Sequence, residues 1–184
     1  MKAQASPGLE DQGTRWQDPW AGAGLGMGGS MALFLSTTVN KVDKKGRVSV
    51  PSTFRAALSE LGFNGTFLFR SIGHPAIEGW GAQKMEELAR GIERQFNPFS
   101  GQRDDFTYSI LADAVQLPFD TEGRIVIPEE LLGYANITEA CAFVGRGPTF
   151  QIWEPAAFKA LQEQARKRAI EGREELKLPM GTAP

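Results

Sequence analysis

Cysteine and histidine each occur once in the 184 residues, as Cys141 and His74. A single cysteine excludes a disulfide within the chain and points to a reducing compartment. One thiol and one imidazole also fall short of the ligand set of a zinc site, so neither a metal nor another cofactor is expected. Charge of one sign is lacking too. Lys and Arg number 20 against 22 Asp and Glu, a formal net charge of −2, and that whole-chain balance carries no nucleic-acid footprint. No apolar run approaches the ~20 residues of a membrane span, and residues 1–30 lack the apolar stretch of a signal peptide. A cytoplasmic protein without membrane contact is expected. Nucleophile–base pairs are missing as well. His74 stands in HPAIEGW with no motif around it, and Cys141 opens an apolar run and reads as a small buried hydrophobe. Glu86-Glu87 and Asp104-Asp105 are adjacent rather than on one helical face. With no GxGxxG and no P-loop either, no enzyme class and no small-molecule ligand is supported.

What the chain does contain is a repeat. Residues 43–51 read DKKGRVSVP and residues 120–128 read DTEGRIVIP. Asp43, Gly46, Arg47 and Pro51 recur at identical spacing as Asp120, Gly123, Arg124 and Pro128. Each copy continues into a short helical pattern, then an apolar run (FLF at 67–69, AFV at 142–144), then a closing tryptophan, Trp80 or Trp153. Two copies suggest an internal pseudo-dimer rather than a solenoid.

Each copy predicts the order β-turn-β-α-β-β. In the first, strands are expected at 38–42, 48–50, 66–70 and 76–79, with a turn at 43–47 whose Gly46 takes positive φ. Pro51 ends the second strand. Ser52 is the expected cap of a helix over TFRAALSEL, and Gly62 the residue just past it. In the second copy, strands are expected at 115–119, 125–127, 141–145 and 149–153, with a helix over PEELLGYA. Longer amphipathic helices follow each unit. Met85, Leu88, Ile92 and Phe96 make one apolar stripe, and Phe158, Leu161, Ala165 and Ala169 another. A shorter helix is expected over DDFTYSILADA. The resulting organisation is an extension over 1–32, unit 1 over 36–82, a helical connector over 83–112, unit 2 over 113–157, and a C-terminal helix with a frayed tail over 158–184. The extension holds seven of the 21 glycines within its first 30 residues and has no periodic apolar face, so it reads as disordered, with Trp16 and Trp20 its large apolar residues.

The two turns differ in charge. Residues 38–55 carry five cations, Lys41, Lys44, Lys45, Arg47 and Arg55, against the single anion Asp43. Residues 114–131 carry Arg124 against Asp120, Glu122, Glu129 and Glu130. Arg suits bidentate contact with guanine and Lys suits phosphate neutralisation, whereas an acidic surface repels DNA. The first turn is therefore the expected double-stranded DNA contact, through Lys41, Lys44, Lys45, Arg47 and Arg55. In the second turn, Asp120, Gly123 and Arg124 are expected to be architecture, as Asp43 and Gly46 are in the first. One basic patch binds tightly when several chains present it together.

FLSTTVNKVDKKGRVSVP, the second DTEGRIVIP and the helices between them resemble the bacterial MraZ family, relatives of the AbrB and SpoVT transcription factors. The resemblance runs from about residue 33 to about residue 170; residues 1–30 lie outside it. It implies an α+β fold in which two tandem swapped-hairpin β units form an intrachain pseudo-dimeric small β-barrel, flanked by amphipathic helices. It implies a cytoplasmic, nucleoid-associated transcriptional regulator. Such a regulator binds short G-rich direct repeats upstream of the division and cell-wall gene cluster, usually repressing that cluster and its own gene. It further implies a ring-shaped homo-oligomer, with the DNA contact on Lys45 and Arg47. Two other classes share these features: an AbrB-like antitoxin, and a ring-forming assembly protein that binds no DNA. The duplication stands against the first and the basic first turn against the second.

Overall fold

The β-branched runs on either side of each D-x-x-G-R turn form short strands, and the prolines end them. In the computed structural model, which describes residues 33–60 and 63–172, the first copy runs β1 (Thr37–Lys41), β2 (Arg47–Ser49), α1 (Ser52–Glu60), β3 (Gly65–Arg70) and β4 (Ile77–Trp80). The second runs β5 (Val115–Pro118), β6 (Arg124–Val126), α4 (Glu129–Tyr134), β7 (Ala140–Gly145) and β8 (Phe150–Trp153). Helix α2 (Ala82–Gln95) follows the first copy and α5 (Pro155–Glu171) the second; α3 (Gly101–Phe106) and one π-helical turn (Thr107–Leu111) lie between the copies. The expected extension with Trp16 and Trp20, the expected helix-ending Gly62, and the tail beyond residue 172 lie outside the described residues.

Three local expectations are corrected. Helix α1 starts a residue early: the Arg55 N–H donates to the Pro51 carbonyl at 3.0 Å, so Pro51 rather than Ser52 takes the cap position, as Pro128 does for α4. The connector helix begins at Gly101, capped by the Ser100 hydroxyl, which accepts from the Arg103 N–H. Pro155 does start α5 and Gly172 ends it, but the apolar stripe stops halfway. Phe158 and Leu161 are half-buried on Ala76, Ala142, Val144 and Trp153, while Ala165 and Ala169 are exposed. The patch beneath is met by the first two turns of a helix roughly 25 Å long.

The two copies exchange strands. One sheet has the order β1-β7-β8-β4-β3-β5, and β2 pairs separately with β6. The first strand of each copy thus joins the third strand of the other, in equivalent register: Val39 faces Ala142, and Gln116 faces Phe67. A pseudo-twofold axis passes between Val48 and Ile125 in the ribbon and between Glu78 and Gln151 in the sheet, each residue facing its counterpart. The fold is α+β with an antiparallel sheet. Strands β1 and β5 remain its edges, and among the described residues no pairing joins them into a barrel, because β2 and β6 fold over the core and pair with each other.

Period-2 alternation divides the sheet into two faces. Leu68, Ile77, Phe143, Phe150 and Ile152 point to the main core with Val48, Val50, Phe54, Ile125 and Ile127 from the ribbon and α1. Phe54 and Phe150 each meet the other's ring and those of Phe34 and Phe143, the Phe54 centroid lying 5.3 Å from both Phe34 and Phe150. The opposite face carries Phe69 and Trp80 under α2, with Met85, Leu88 and Ile92 buried and Phe96 half-buried as the stripe predicts. On the pseudo-twofold of that face Glu78 and Gln151 are buried. Their polar atoms are satisfied: Gln151 Nε2 and the Ser71 hydroxyl donate to Glu78 Oε1 at 2.5 and 2.8 Å, and Trp153 Nε1 donates to Gln151 Oε1 at 2.9 Å. The connector is tied in by Arg70, whose guanidinium pairs with Asp113 and, at 3.4 Å, with Glu130. Among the described residues no helix is long and apolar enough to cross a membrane. His74 lies in the β3–β4 connection with its ring 5.3 Å from Trp153.

Cys141 is fully buried in β7, and burial pushes its thiol up to about 12. The unfolded thiol ionises near ~8.5, so stability should fall as pH rises above that value. Iodoacetamide at about pH 8 should therefore label Cys141 through the unfolded state alone, at a rate set by the unfolded population. Rapid labelling of the native protein would contradict the burial.

Candidate nucleic-acid interface

The two D-x-x-G-R turns are built alike. Asp43 Oδ1 accepts from the N–H groups of Lys45 and Arg47, both at 2.9 Å, while its Oδ2 accepts from Arg47 Nε at 2.6 Å. Asp120 Oδ1 accepts from the N–H groups of Glu122 and Arg124, both at 2.9 Å, and its Oδ2 from Arg124 Nε at 2.8 Å. Such a carboxylate takes the place of a further strand in closing the turn. Glycine completes it: Gly46 has φ +76° and Gly123 φ +73°, a region other residues enter at a cost.

Hydrogen bonding sets the acidity of both carboxyls. The N–H of Arg47, and after it the Arg47 guanidinium, holds Asp43 below its ordinary value; Arg124 does the same for Asp120. Asp120 in turn holds the Arg124 guanidinium more firmly protonated than usual.

The turns are also interlocked. The Val50 N–H donates to the Gly123 carbonyl at 3.1 Å, and the Ile127 N–H to the Gly46 carbonyl at 2.9 Å. Each glycine sits under the helix of the other copy, Gly46 beneath Leu132 of α4 and Gly123 beneath Arg55 of α1. This decides where Arg55 lies. Its guanidinium packs on the second turn, with Nε donating to the Val50 carbonyl at 3.2 Å. Sequence distance groups it with the basic turn; the exchange of copies carries it to the acidic one.

Four cations remain around the first turn. Val42, Gly46, Val48 and Val50 face inward, leaving Lys41, Asp43, Lys44, Lys45, Arg47 and Ser49 exposed. Lys41, Asp43, Arg47 and Ser49 line one shallow groove, and Arg124 lines it too. The β2–β6 register puts Arg124 opposite Ser49 and Arg47 opposite Val126, so both arginines project from the outer face of one ribbon.

Their engagement differs. Arg47 uses Nε on Asp43, and among the described residues nothing else pairs with its guanidinium, so both terminal nitrogens are left unpaired there. Arg124 uses Nε on Asp120 and a terminal nitrogen, NH1, on Glu122 at 2.6 Å. Glu122 was not singled out by its residue type. The signal lay in the repeat, where it holds the place of Lys45.

A duplicated α+β chain, with two D-x-x-G-R turns locked back to back in one ribbon, is a narrow structural class. A family model described as "MraZ protein, putative antitoxin-like" matches residues 110–178. The transcriptional regulator MraZ of Pelagibacter ubique (strain HTCC1062) is 48% identical over 145 residues, covering 79% of this chain and 93% of that protein. Those of Rickettsia rickettsii (strain Sheila Smith) and Rickettsia canadensis (strain McKiel) are 46% and 44% identical over 143 residues, each alignment covering 78% of this chain and 95% of the relative. The chain belongs to the MraZ family.

Alanine at either turn glycine carries the left-handed penalty of about 1–2 kcal/mol. At Gly46 the new Cβ also meets the Ile127 carbonyl oxygen at 2.5 Å, which is backbone; at Gly123 it meets the Arg55 guanidinium at 2.5 Å, which swings aside. Gly46→Ala should lower the melting temperature by several degrees more than Gly123→Ala; equal losses would show that the interlock is not rigid.

Both aspartates bind protons more weakly folded than unfolded. Their contribution is thus present above the unfolded value of ~3.9 and lost as pH falls through the lower folded value. Acid titration followed by circular dichroism should show Asp43→Asn and Asp120→Asn each less stable at neutral pH and each losing less on acidification than the parent. An acid limb identical to the parent's in both variants would remove the aspartates as its cause.

Proposed function

We propose that this chain is a sequence-specific DNA-binding transcriptional regulator whose base-reading residue is Arg47. The observation that carries the proposal is the unpaired terminal fork of Arg47, aimed outward from a turn flanked by Lys41, Lys44 and Lys45. Two parallel N–H donors on a planar group match the O6 and N7 acceptors of guanine in the major groove, and a two-stranded ribbon fits that groove. Asp43 fixes the guanidinium through Nε and leaves the other edge open, which spares the bound state part of its ordering cost. The lysines neutralise phosphates. The name borne by the relatives, transcriptional regulator, supports the same reading.

In this proposal each pair of units acts as a swapped-hairpin pseudo-dimer, the strand exchange being the feature that supports it. Several chains assemble into a ring and place successive Arg47 forks on short G-rich direct repeats. The targets are the division and cell-wall gene cluster and the chain's own promoter, with repression as the outcome and the nucleoid as the location. Asp43, Gly46, Asp120, Gly123 and Arg124 hold the two turns in shape. The description "antitoxin-like" attached to the family model favours one second reading, a DNA-binding antitoxin; a toxin gene beside this one would support it, and division genes would not.

The test is a gel shift on a duplex spanning the chain's own upstream region, with protein shown by light scattering to keep its oligomeric state. Arg47→Ala should weaken binding by about ten- to a hundredfold per engaged site, and more where several sites act together. Arg124→Ala should leave binding near the parent's. Lys45→Ala should lower affinity for every sequence alike and reduce the salt slope by about 1. Undiminished binding by Arg47→Ala would sink the proposal.

A further inference from the structure

Lys45 and Glu122 occupy the same position in otherwise twin turns, one residue before the glycine. Each donates its backbone N–H to the turn aspartate at 2.9 Å, so neither side chain is needed to close the turn. The side chains do opposite things. Lys45 is exposed, with no ion-pair partner among the described residues. Glu122, whose side chain is 66% exposed, reaches across to Arg124 NH1 at 2.6 Å. Arg124 nevertheless lines the same groove as Lys41 and Arg47.

We infer that Glu122 masks a second, pseudo-equivalent base-reading arginine, and that this mask gives each chain's footprint a direction along the DNA. The inference rests on the proposed role of Arg47. A ribbon with a twofold axis between Val48 and Ile125 and two equally free arginines would read a half-site in either orientation. Bidentate recognition of guanine needs two N–H donors on one edge of the guanidinium. In Arg124, Nε is held by Asp120, and the Glu122 carboxylate stands against the terminal nitrogen NH1 at 2.6 Å, so an acid competes with a nucleobase for the end of the guanidinium that Arg47 leaves open. The Glu122 carboxylate also sets a negative charge where a phosphate would approach. Arg47, tied through Nε alone, keeps its terminal edge open. The pair Asp120–Arg124 is needed for the shape of the turn, whereas Glu122 adds nothing to packing. Its effect therefore falls on specificity.

The experiment uses the full chain and two probes: the duplex spanning its own upstream region, and the same duplex with one repeat reversed. The parent should bind the reversed duplex at least about tenfold more weakly, the loss expected from one bidentate contact. Glu122→Lys should bind the two within about threefold of each other, with a salt slope steeper by about 1 to 2. Glu122→Gln, which keeps the shape and loses the charge, should shift in the same direction by less. Adding Arg124→Ala to Glu122→Lys should restore the parent's preference. Parent-like discrimination by both Glu122 variants would overturn the inference. So would a relaxed preference that survives Arg124→Ala, since charge alone would then account for it. Failure of the Arg47 proposal is read separately: in the parent background Arg47→Ala would leave affinity for the unaltered duplex unchanged.

Discussion

Three residues from each copy, Arg47–Ser49 and Arg124–Val126, pair antiparallel across a pseudo-twofold, and the rest of the molecule is arranged around that ribbon. The pairing is closed at both ends by reciprocal bonds from the residue before each proline, Val50 and Ile127, to the opposite turn glycine. Neither hairpin closes its own sheet. Each sends its first strand to the far copy, so β1 lies on β7 and β5 on β3, and the inward residues Val48 and Ile125 share one core with Phe54, Phe143 and Phe150. A short ribbon alone is unstable in water. Here it is held by a core drawn from both copies.

The same constraint builds the candidate interface. Inward apolar residues force the intervening residues outward, so Arg47 and Arg124 share an outer face as a consequence of period 2. The turn aspartate then divides its two oxygens, one for backbone N–H groups and one for the arginine Nε. In the proposed function that division couples fold to recognition: the contacts that shape the first turn engage Arg47 through Nε and leave its terminal nitrogens unused. Exposed ion pairs add little to stability; in the proposed function this one serves to position a guanidinium.

Much of this was legible in the sequence because it was written twice. The repeat located both turns and all eight strands to within a residue or two, and the first copy also gave the positive φ of Gly46 and Pro51 just past β2. Periodicity located α2 and its buried face. What escaped depends on how the copies meet. Arg55 lies close in sequence to the basic turn, yet α1 covers Gly123, and no linear count anticipates an exchange of partners. The apolar stripe of α5 runs past the patch it covers, because a helix's period says which face is apolar and not how much partner surface lies beneath. The union of Arg70 with Asp113 and Glu130, and that of Glu78 with Gln151, join residues far apart in the chain. They follow from the strand order alone.

Charge counting pointed to the basic turn, but it treated charge as a sum when the structure treats it as pairings. Of the four anions around the second turn, Asp120 and Glu122 both engage Arg124, and Glu130 at the start of α4 reaches Arg70 instead. Arg55 brings a cation from the other copy to that same turn. The second turn is therefore less acidic than its sequence window, and beside the lysines of the first turn the two differ in the state of their arginines. Net charge sets the long-range field that steers a polyanion toward a surface. In the proposed interface the decision at contact passes to which N–H groups remain free to donate, and there the two turns differ at one matched position, Lys45 or Glu122.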